Sequence, residues 1–354
     1  MKERNQSGKY ILVFAITAIL GLIIIAGLNF AADPLYQYHM PWFGREVYAD
    51  DGVYQNPGLA KNADYNGAIV GSSMSMNFNC EWFDKAYDIN TLKLTYTGCT
   101  AKDWVNSVDL AGQKNVRYIF GNIDFYVLTR YEYGVTRWEL PEYLYDDNYF
   151  NDVNYLLNKN ILFERTMNVL KNNYAGNLKN AYAWYDDHTN FFGHYNVLKH
   201  VNYNGECKDI KQKQAVIDHN AKQSVQQIKE TVLKYPDTTF VLFYSPFSLI
   251  YYYDRALDGD LDISMKVYEY SMKELLECEN CKLYFPAYNN IEMMTDLDSY
   301  EDLAHYDIDI QYLIFEEMRD GVNMVTKENY TDIINWLRNT VMNYNYKELY
   351  EKYR

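Results

Sequence analysis

The chain has 354 residues, 48% of them hydrophobic, enough to bury a full core in one large domain or two small ones. Its net charge of −15 argues against a nucleic-acid partner, which needs clustered Lys and Arg to meet phosphates. The 38 tyrosines suit sugar stacking or a wet groove, because each pairs a flat apolar face with a polar tip. Asn and Lys are frequent as well, so most of these tyrosines read as compositional bias.

Residues 10–32 carry no charge and form an apolar run. Roughly 20 such residues span a bilayer. Lys2, Arg4 and Lys9 precede the run and Asp33 follows it. The positive-inside tendency then puts residues 1–9 in the cytoplasm and the rest of the chain outside, in a single-pass cell-membrane topology. A cleaved signal peptide fits less well. Cleavage after Ala31 or Ala32 would place Asn29 or Phe30 where a small residue is needed.

Residues 33–65 are polar and turn-rich and read as an extended approach to the main domain. Short β-like runs follow at 66–71, 92–97, 116–121, 238–244 and 282–285. Helical patterns occupy 102–112, 152–171, 211–234, 262–278 and 326–342. This alternation predicts an α/β fold with a doubly wound, flavodoxin-like parallel sheet of about five strands over 66–342. The interval 129–205 is too long for a simple crossover and reads as an insertion beside a cleft, and 343–354 as a C-terminal tail. Of the five cysteines, Cys80 and Cys99 each follow a predicted strand and could pair if those strands are neighbours. Cys278 and Cys281 have redox-motif spacing and read as a local disulfide or two free thiols, since no second such motif or nearby His supports a metal site. Cys207 has no assigned role.

Ligands of open α/β sheets bind beyond the carboxyl ends of the strands. Gly71-Ser72-Ser73 lies there after the first strand, Gly98 after the second, and Gly121-Asn122-Ile123-Asp124 after the third. After the fifth comes Ser299-Tyr300-Glu301-Asp302-Leu303-Ala304-His305-Tyr306. An Asp three residues before a His orients the imidazole through one ring nitrogen and leaves the other as a base, which a serine needs to become a nucleophile. Each piece alone is commonplace: Gly-Ser-Ser turns usually cap helices, and D-x-x-H arises by chance. Their order along the chain is what carries weight.

That order resembles the SGNH (GDSL-type) hydrolase superfamily. It is most similar to the membrane-anchored, extracytoplasmic branch that includes the teichoic-acid D-alanyl-transfer protein and the alginate acetylation proteins. The resemblance covers roughly residues 60–340 but rests on a few short blocks. It implies Ser73 as nucleophile, His305 as base and Asp302 as its orienting acid. The backbone N–H groups of Ser73 and Gly98 would hold the oxyanion. Ser72 stands where the namesake motif has aspartate. The third block usually reads G-x-N-D, so Asn122, its side-chain oxyanion donor, stands one position early.

Other residues have weaker claims. Ser75 is a rival nucleophile further into the helix. His188 and His194 lie in the Tyr- and Asp-rich insertion, where exposed loop histidines are the commoner case, and His194 is taken as a cleft residue. Tyr244 and Ser245, ahead of Pro246-Phe247-Ser248, form a cleft wall through a Pro-fixed turn. His39, His200 and His219 read as structural, and the Asn329 sequon carries no weight.

The expected function is therefore an anchored serine esterase or O-acyltransferase acting on a surface polysaccharide or other acylated glycan. It would need no metal or cofactor, and a polysaccharide-export or acyl-donor membrane protein is the expected neighbour. The alternative is an inactive, glycan-binding scaffold of the same fold.

Overall fold

The computed structural model describes residues 2–42, 51–132, 134–171, 177–201 and 211–353, so Cys207 and residues 43–50 of the expected approach lie outside the described residues. In chain order, helices α1 (Lys2–Ala32) and α2 (Gly52–Asn62) precede strand β1 (Gly67–Gly71). Then come α3 (Ser73–Met76), α4 (Cys80–Tyr87), β2 (Thr91–Thr95), α5 (Ala101–Ala111), β3 (Tyr118–Asn122) and α6 (Phe125–Thr129). After a region of short helical turns come α7 (Lys211–Lys234), β4 (Thr239–Phe243), α8 (Leu249–Leu257), α9 (Leu261–Leu275) and β5 (Cys281–Tyr284). The chain closes with α10 (Ile308–Asp320), β6 (Met324–Val325), α11 (Tyr330–Asn343) and α12 (Tyr346–Lys352).

The chain divides into two compact units. The larger comprises Asp64–Glu139 and Lys179–Arg354. Its core is a six-stranded sheet in the order β2-β1-β3-β4-β5-β6, parallel except for the β5–β6 pair. Five strands fall where the sequence pattern puts them. The sixth, two residues long, is too short to leave a pattern. β1 reads as a continuous apolar run because both its faces are buried. On one face Phe83 of α4 packs on Phe120 and on Phe315 of α10, with ring centroids 4.4 and 5.0 Å away. On the other, Trp104 of α5 lies 6.3 Å from Phe240. Phe240 is in register with Ile119, so it points opposite to Phe120, and helices cover both faces of the sheet.

The second unit comprises Met1–Ala63 and Leu140–Leu178. α1 is long and apolar enough to span a membrane: an 18-residue stretch within its Ser7–Ala32 part has a mean hydropathy of 3.0. Pro57 and Gly58 look like a turn in the sequence but lie inside α2. Pro57 cannot bond to the carbonyl of Val53, and the Tyr145 hydroxyl donates to that carbonyl instead, at 2.7 Å. Gly58 admits the backbone of residues 35 and 36: a Cβ there would lie 2.1 Å from the Leu35 carbonyl oxygen. Leu35, Leu144, Tyr155 and Ile161 form this unit's small core. The helix expected over 152–171 is broken into Val153–Leu156, a π-helical turn Ile161–Thr166, and Met167–Leu170. The Asn158 side chain causes the break by accepting from the N–H groups of Asn160 and Ile161 at 2.9 and 3.3 Å.

The cysteine expectation is corrected. Although β1 and β2 are neighbours, Cys80 and Cys99 are not bonded to each other. Cys278 and Cys281 are two free thiols, one of the two expected states, and all four cysteines are buried. Burial pushes the Cys80 thiol up to about 11, so it stays protonated and inert.

Candidate active site

β1 ends at Gly71, with φ +119°, a conformation side chains rarely adopt. A Cβ there would also lie 2.2 Å from Asn122 Oδ1. The chain can therefore turn sharply beneath the next two serines only because residue 71 is glycine. Ser72 caps α3, its hydroxyl accepting from the Met74 N–H at 3.3 Å. Ser73 becomes the first residue of α3, with its hydroxyl at the strand's carboxyl end. At the other end of α3 the buried ammonium of Lys93 donates to the Met76 carbonyl at 2.6 Å, and burial lowers that ammonium to about 8.

His305 comes from the loop between β5 and α10. A bridge between Tyr300 and Tyr306 closes this loop at its base. The Tyr300 hydroxyl shares its one hydrogen between the carbonyls of Pro246 and Met293, at 2.6 and 2.8 Å. Ser248 holds the loop's crown by donating from its N–H and hydroxyl to the Leu303 carbonyl at 3.1 and 2.8 Å. Asp302 Oδ1 accepts from the N–H groups of Ala304 and His305 at 2.7 and 2.8 Å.

The structure brings Ser73, His305 and Asp302 together. Ser73 Oγ is 2.9 Å from His305 Nε2, and His305 Nδ1 is 2.8 Å from Asp302 Oδ2. The carboxylate accepts from Nδ1–H, so Nε2 is left to accept from the serine. Burial alone would raise the Asp302 carboxyl. The His305 hydrogen bond and charge, with the two backbone N–H groups, outweigh burial and hold it at about 2. Burial disfavours the His305 imidazolium, but Asp302 and then Glu301 and Asp124 outweigh it, and its pKa is raised above the usual value.

These side chains open onto a cavity of about 580 Å³ whose walls include Met74, Phe125, Val127, Phe247 and Leu303. That volume is in the range of small-molecule sites, roughly 300–1,000 Å³. Ser73 and Gly98 both line it. Gly98 has φ +66°, in a turn closed by Cys99 N–H donating to the Tyr96 carbonyl at 3.1 Å. The N–H groups of Ser73 and Gly98 have no hydrogen-bond acceptor among the described residues. Arg130 lines the cavity as well. A Cβ on Gly98 would lie 3.3 Å from Arg130 Nη1 and 3.4 Å from Arg137 Nε. Neither guanidinium has a carboxylate partner among the described residues.

Asn122 does not reach the cavity. Its Oδ1 accepts from Ser72 N–H at 2.9 Å and from the Ser75 hydroxyl at 2.8 Å. Its Nδ2 donates to Ser72 Oγ at 2.9 Å and Asp124 Oδ2 at 2.6 Å. The amide is fully used beneath the nucleophile turn, with no hydrogen left for a substrate oxygen. Ser75 belongs to the same buried network and also accepts from the Asn122 backbone N–H at 3.2 Å.

The residues expected to line the cleft lie elsewhere. The buried Tyr244 hydroxyl bonds to Ser271 at 2.7 Å, Ser245 donates to Asp124 at 3.3 Å, and His194 pairs with Asp298 at 2.6 Å. Phe247, from the same Pro-containing stretch, does line the cavity. So does His200, read from the sequence as structural. His188 pairs with Glu301 at 3.0 Å, outside the cavity.

Trp184 was also missed. It lies in the insertion, where attention falls on the histidines. Yet its Nε1–H donates to the Ser73 carbonyl at 3.1 Å, and its ring meets His305 edge-on, centroids 5.4 Å apart. Among the described residues no group of three or more His, Cys, Asp or Glu side chains converges as metal ligands.

The chain matches no protein-family model, no curated protein and no solved structure. Its site must be read from its own geometry.

Proposed function

We propose that the protein is a serine ester hydrolase or O-acyltransferase of the SGNH type, on a doubly wound, flavodoxin-like sheet. The single observation that carries this reading is the line Ser73–His305–Asp302, with contacts of 2.9 and 2.8 Å at the edge of a cavity.

Ser73 Oγ attacks the ester carbonyl carbon while His305 Nε2 takes the hydroxyl proton. The tetrahedral oxyanion is held by the unpartnered N–H groups of Ser73 and Gly98. Breaking the carbon–oxygen bond releases the alcohol, which takes the proton from Nε2. The acyl-enzyme then passes its acyl group to water or to a sugar hydroxyl, whose proton goes to Nε2 and returns to Ser73 Oγ. Asp302 keeps Nδ1 protonated throughout.

α1 anchors the chain in the cell membrane, and its basic N-terminal flank favours an extracytoplasmic main domain. A tethered acyl-transfer enzyme acts where a surface polysaccharide is made or modified, beside its export or acyl-donor membrane protein. The mainly apolar walls beside Ser73 favour an acyl group as occupant over the bare glycan of a non-catalytic scaffold.

The test is covalent labelling of the full chain with a fluorophosphonate. Label on the wild type that vanishes in Ser73→Ala and in His305→Ala is the expected result. Folded wild-type protein that takes no label transfers the weight to the glycan-binding reading.

A further inference from the structure

We infer that residues 149–170 form a collar that beds into the lipid–water interface around the carboxyl end of α1. This rests on the reading of α1 as a membrane anchor.

The collar is clamped to α1 by one polar residue. Asn29 is fully buried, in a helix whose other outward positions are bare and apolar. Its Nδ2 donates to the Leu156 carbonyl at 2.9 Å, and its Oδ1 accepts from the Thr166 hydroxyl at 2.8 Å. An amide at this depth would be costly against lipid, and the collar satisfies both ends of it. Four residues on, Asp33 turns the chain off the helix with φ 37°. Its carboxylate accepts from the N–H groups of Gln37, Tyr38 and His39 and from the Tyr155 hydroxyl, all within 3.1 Å. The collar therefore has a fixed height on the helix.

That height is the membrane surface. At ~1.5 Å per residue, the helix from Tyr10 to Asn29 covers about 30 Å, the thickness of the hydrocarbon core. Asn29 and the residues bonded to it then lie at the core's outer edge.

The collar's outer face is what this position calls for. Ile161, Leu162 and Thr166 are buried, while Phe163 of the same turn is 70% exposed. Phe150 is 96% exposed and Tyr149 69%. The Phe150 and Phe163 rings are a poor fit to water, and Leu28 and Phe30 at the same end of α1 are exposed as well. Aromatic rings alternating with asparagines suit the headgroup layer, where an apolar body and a polar neighbour are both solvated. The occupant is thus a lipid surface, continuous with the lipid that surrounds α1.

The test places an environment-sensitive fluorophore on single cysteines in the full chain. The positions are Phe150→Cys, Phe163→Cys and, as reference, Ile24→Cys, all exposed and free of core packing. Cys207→Ser removes the one cysteine outside the described residues, and the four described cysteines are buried. The protein is reconstituted in phosphatidylcholine–phosphatidylglycerol vesicles, with and without lipid carrying a nitroxide near the headgroup. Blue-shifted emission and loss of intensity to the nitroxide lipid at all three positions is the expected result. Quenching at residue 24 but water-like, unquenched emission at 150 and 163 overturns the collar and leaves the anchor intact. No quenching at residue 24 overturns the anchor, and the collar with it.

Discussion

The Trp184 indole donates from Nε1 to the carbonyl of Ser73, 3.1 Å away, and its ring stands perpendicular to that of His305, centroids 5.4 Å apart. One side chain from the insertion thus touches both Ser73 and His305. The indole fixes the backbone at Ser73 and limits the tilt of the His305 ring, which in the proposed mechanism are nucleophile and base.

Trp184→Phe should therefore act on rate and not on binding. It keeps a ring against His305 but removes one neutral hydrogen bond, a loss of about 1 kcal/mol. That corresponds to roughly fivefold slower fluorophosphonate labelling. Trp184→Ala should be slower still. Rates equal to wild type in both variants would mean that Trp184 only fills space.

The Asp302–His305 pair sets the pH profile. The base must be neutral, and Asp302 raises the imidazole's pKa against the opposing effect of burial. The labelling rate should climb through a midpoint above the unperturbed 6.5. In Asp302→Asn burial acts without the carboxylate, so the midpoint should fall. The rate itself should drop about 10⁴-fold, because the wrong tautomer then faces the serine. The sign for stability follows by linkage. His305, its pKa raised by folding, contributes fully below 6.5 and loses that share as pH rises through its folded value. Asp302, held at about 2, contributes above 3.8 and loses that share as pH falls toward 2. The thermal-midpoint advantage of wild type over Asp302→Asn should be widest between those limits and shrink on either side.

The sheet was legible because buried parallel strands are continuous apolar runs. β1, with Ala68-Ile69-Val70, could hardly be anything else. The nucleophile turn was legible for a related reason: a Gly-Ser-Ser at a strand's end has few conformations open to it. Asp302 and His305 were legible because they interact within one local turn. What the pattern did not carry was the direction in which single side chains turn. Tyr244 and Ser245 follow β4 as a cleft wall should, but which way a side chain turns there depends on Ser271 and Asp124, far along the chain. The helix over 152–171 has the right apolar spacing, and a single asparagine side chain breaks it. His200 and Trp184 reach the site from an insertion with no period to read.

Asn122 separates two roles that sequence cannot. As an oxyanion donor, its loss would slow acylation by about 10²–10³ while leaving the fold intact. As the buried tie between Ser72, Ser75 and Asp124, its loss leaves several polar groups unpaired, at about 1–3 kcal/mol for each. The network predicts the second outcome. Asn122→Ala should lower the urea midpoint by an amount equal to several kcal/mol, and labelling of the fraction that remains folded should fall less than a hundredfold. Wild-type stability with a collapsed rate would restore the oxyanion role.

In the proposed acyl-transfer reaction, Arg130 bears on which ester is chosen. Its guanidinium stands at the cavity beside Gly98, with Arg137 close by and no carboxylate to neutralise either among the described residues. In a chain of net charge −15, such a pair attracts an anion that comes to the site. Because Arg130 is exposed, its effect is screened and amounts to about 1 kcal/mol. Arg130→Ala should raise KM about fivefold for an ester bearing a carboxylate or phosphate on its alcohol side, with little change for the neutral analogue. The difference should narrow as salt is added. An equal rise for both esters would mean that the side chain merely shapes the cavity wall, and the charge on the natural acceptor would then have to be read by some other residue.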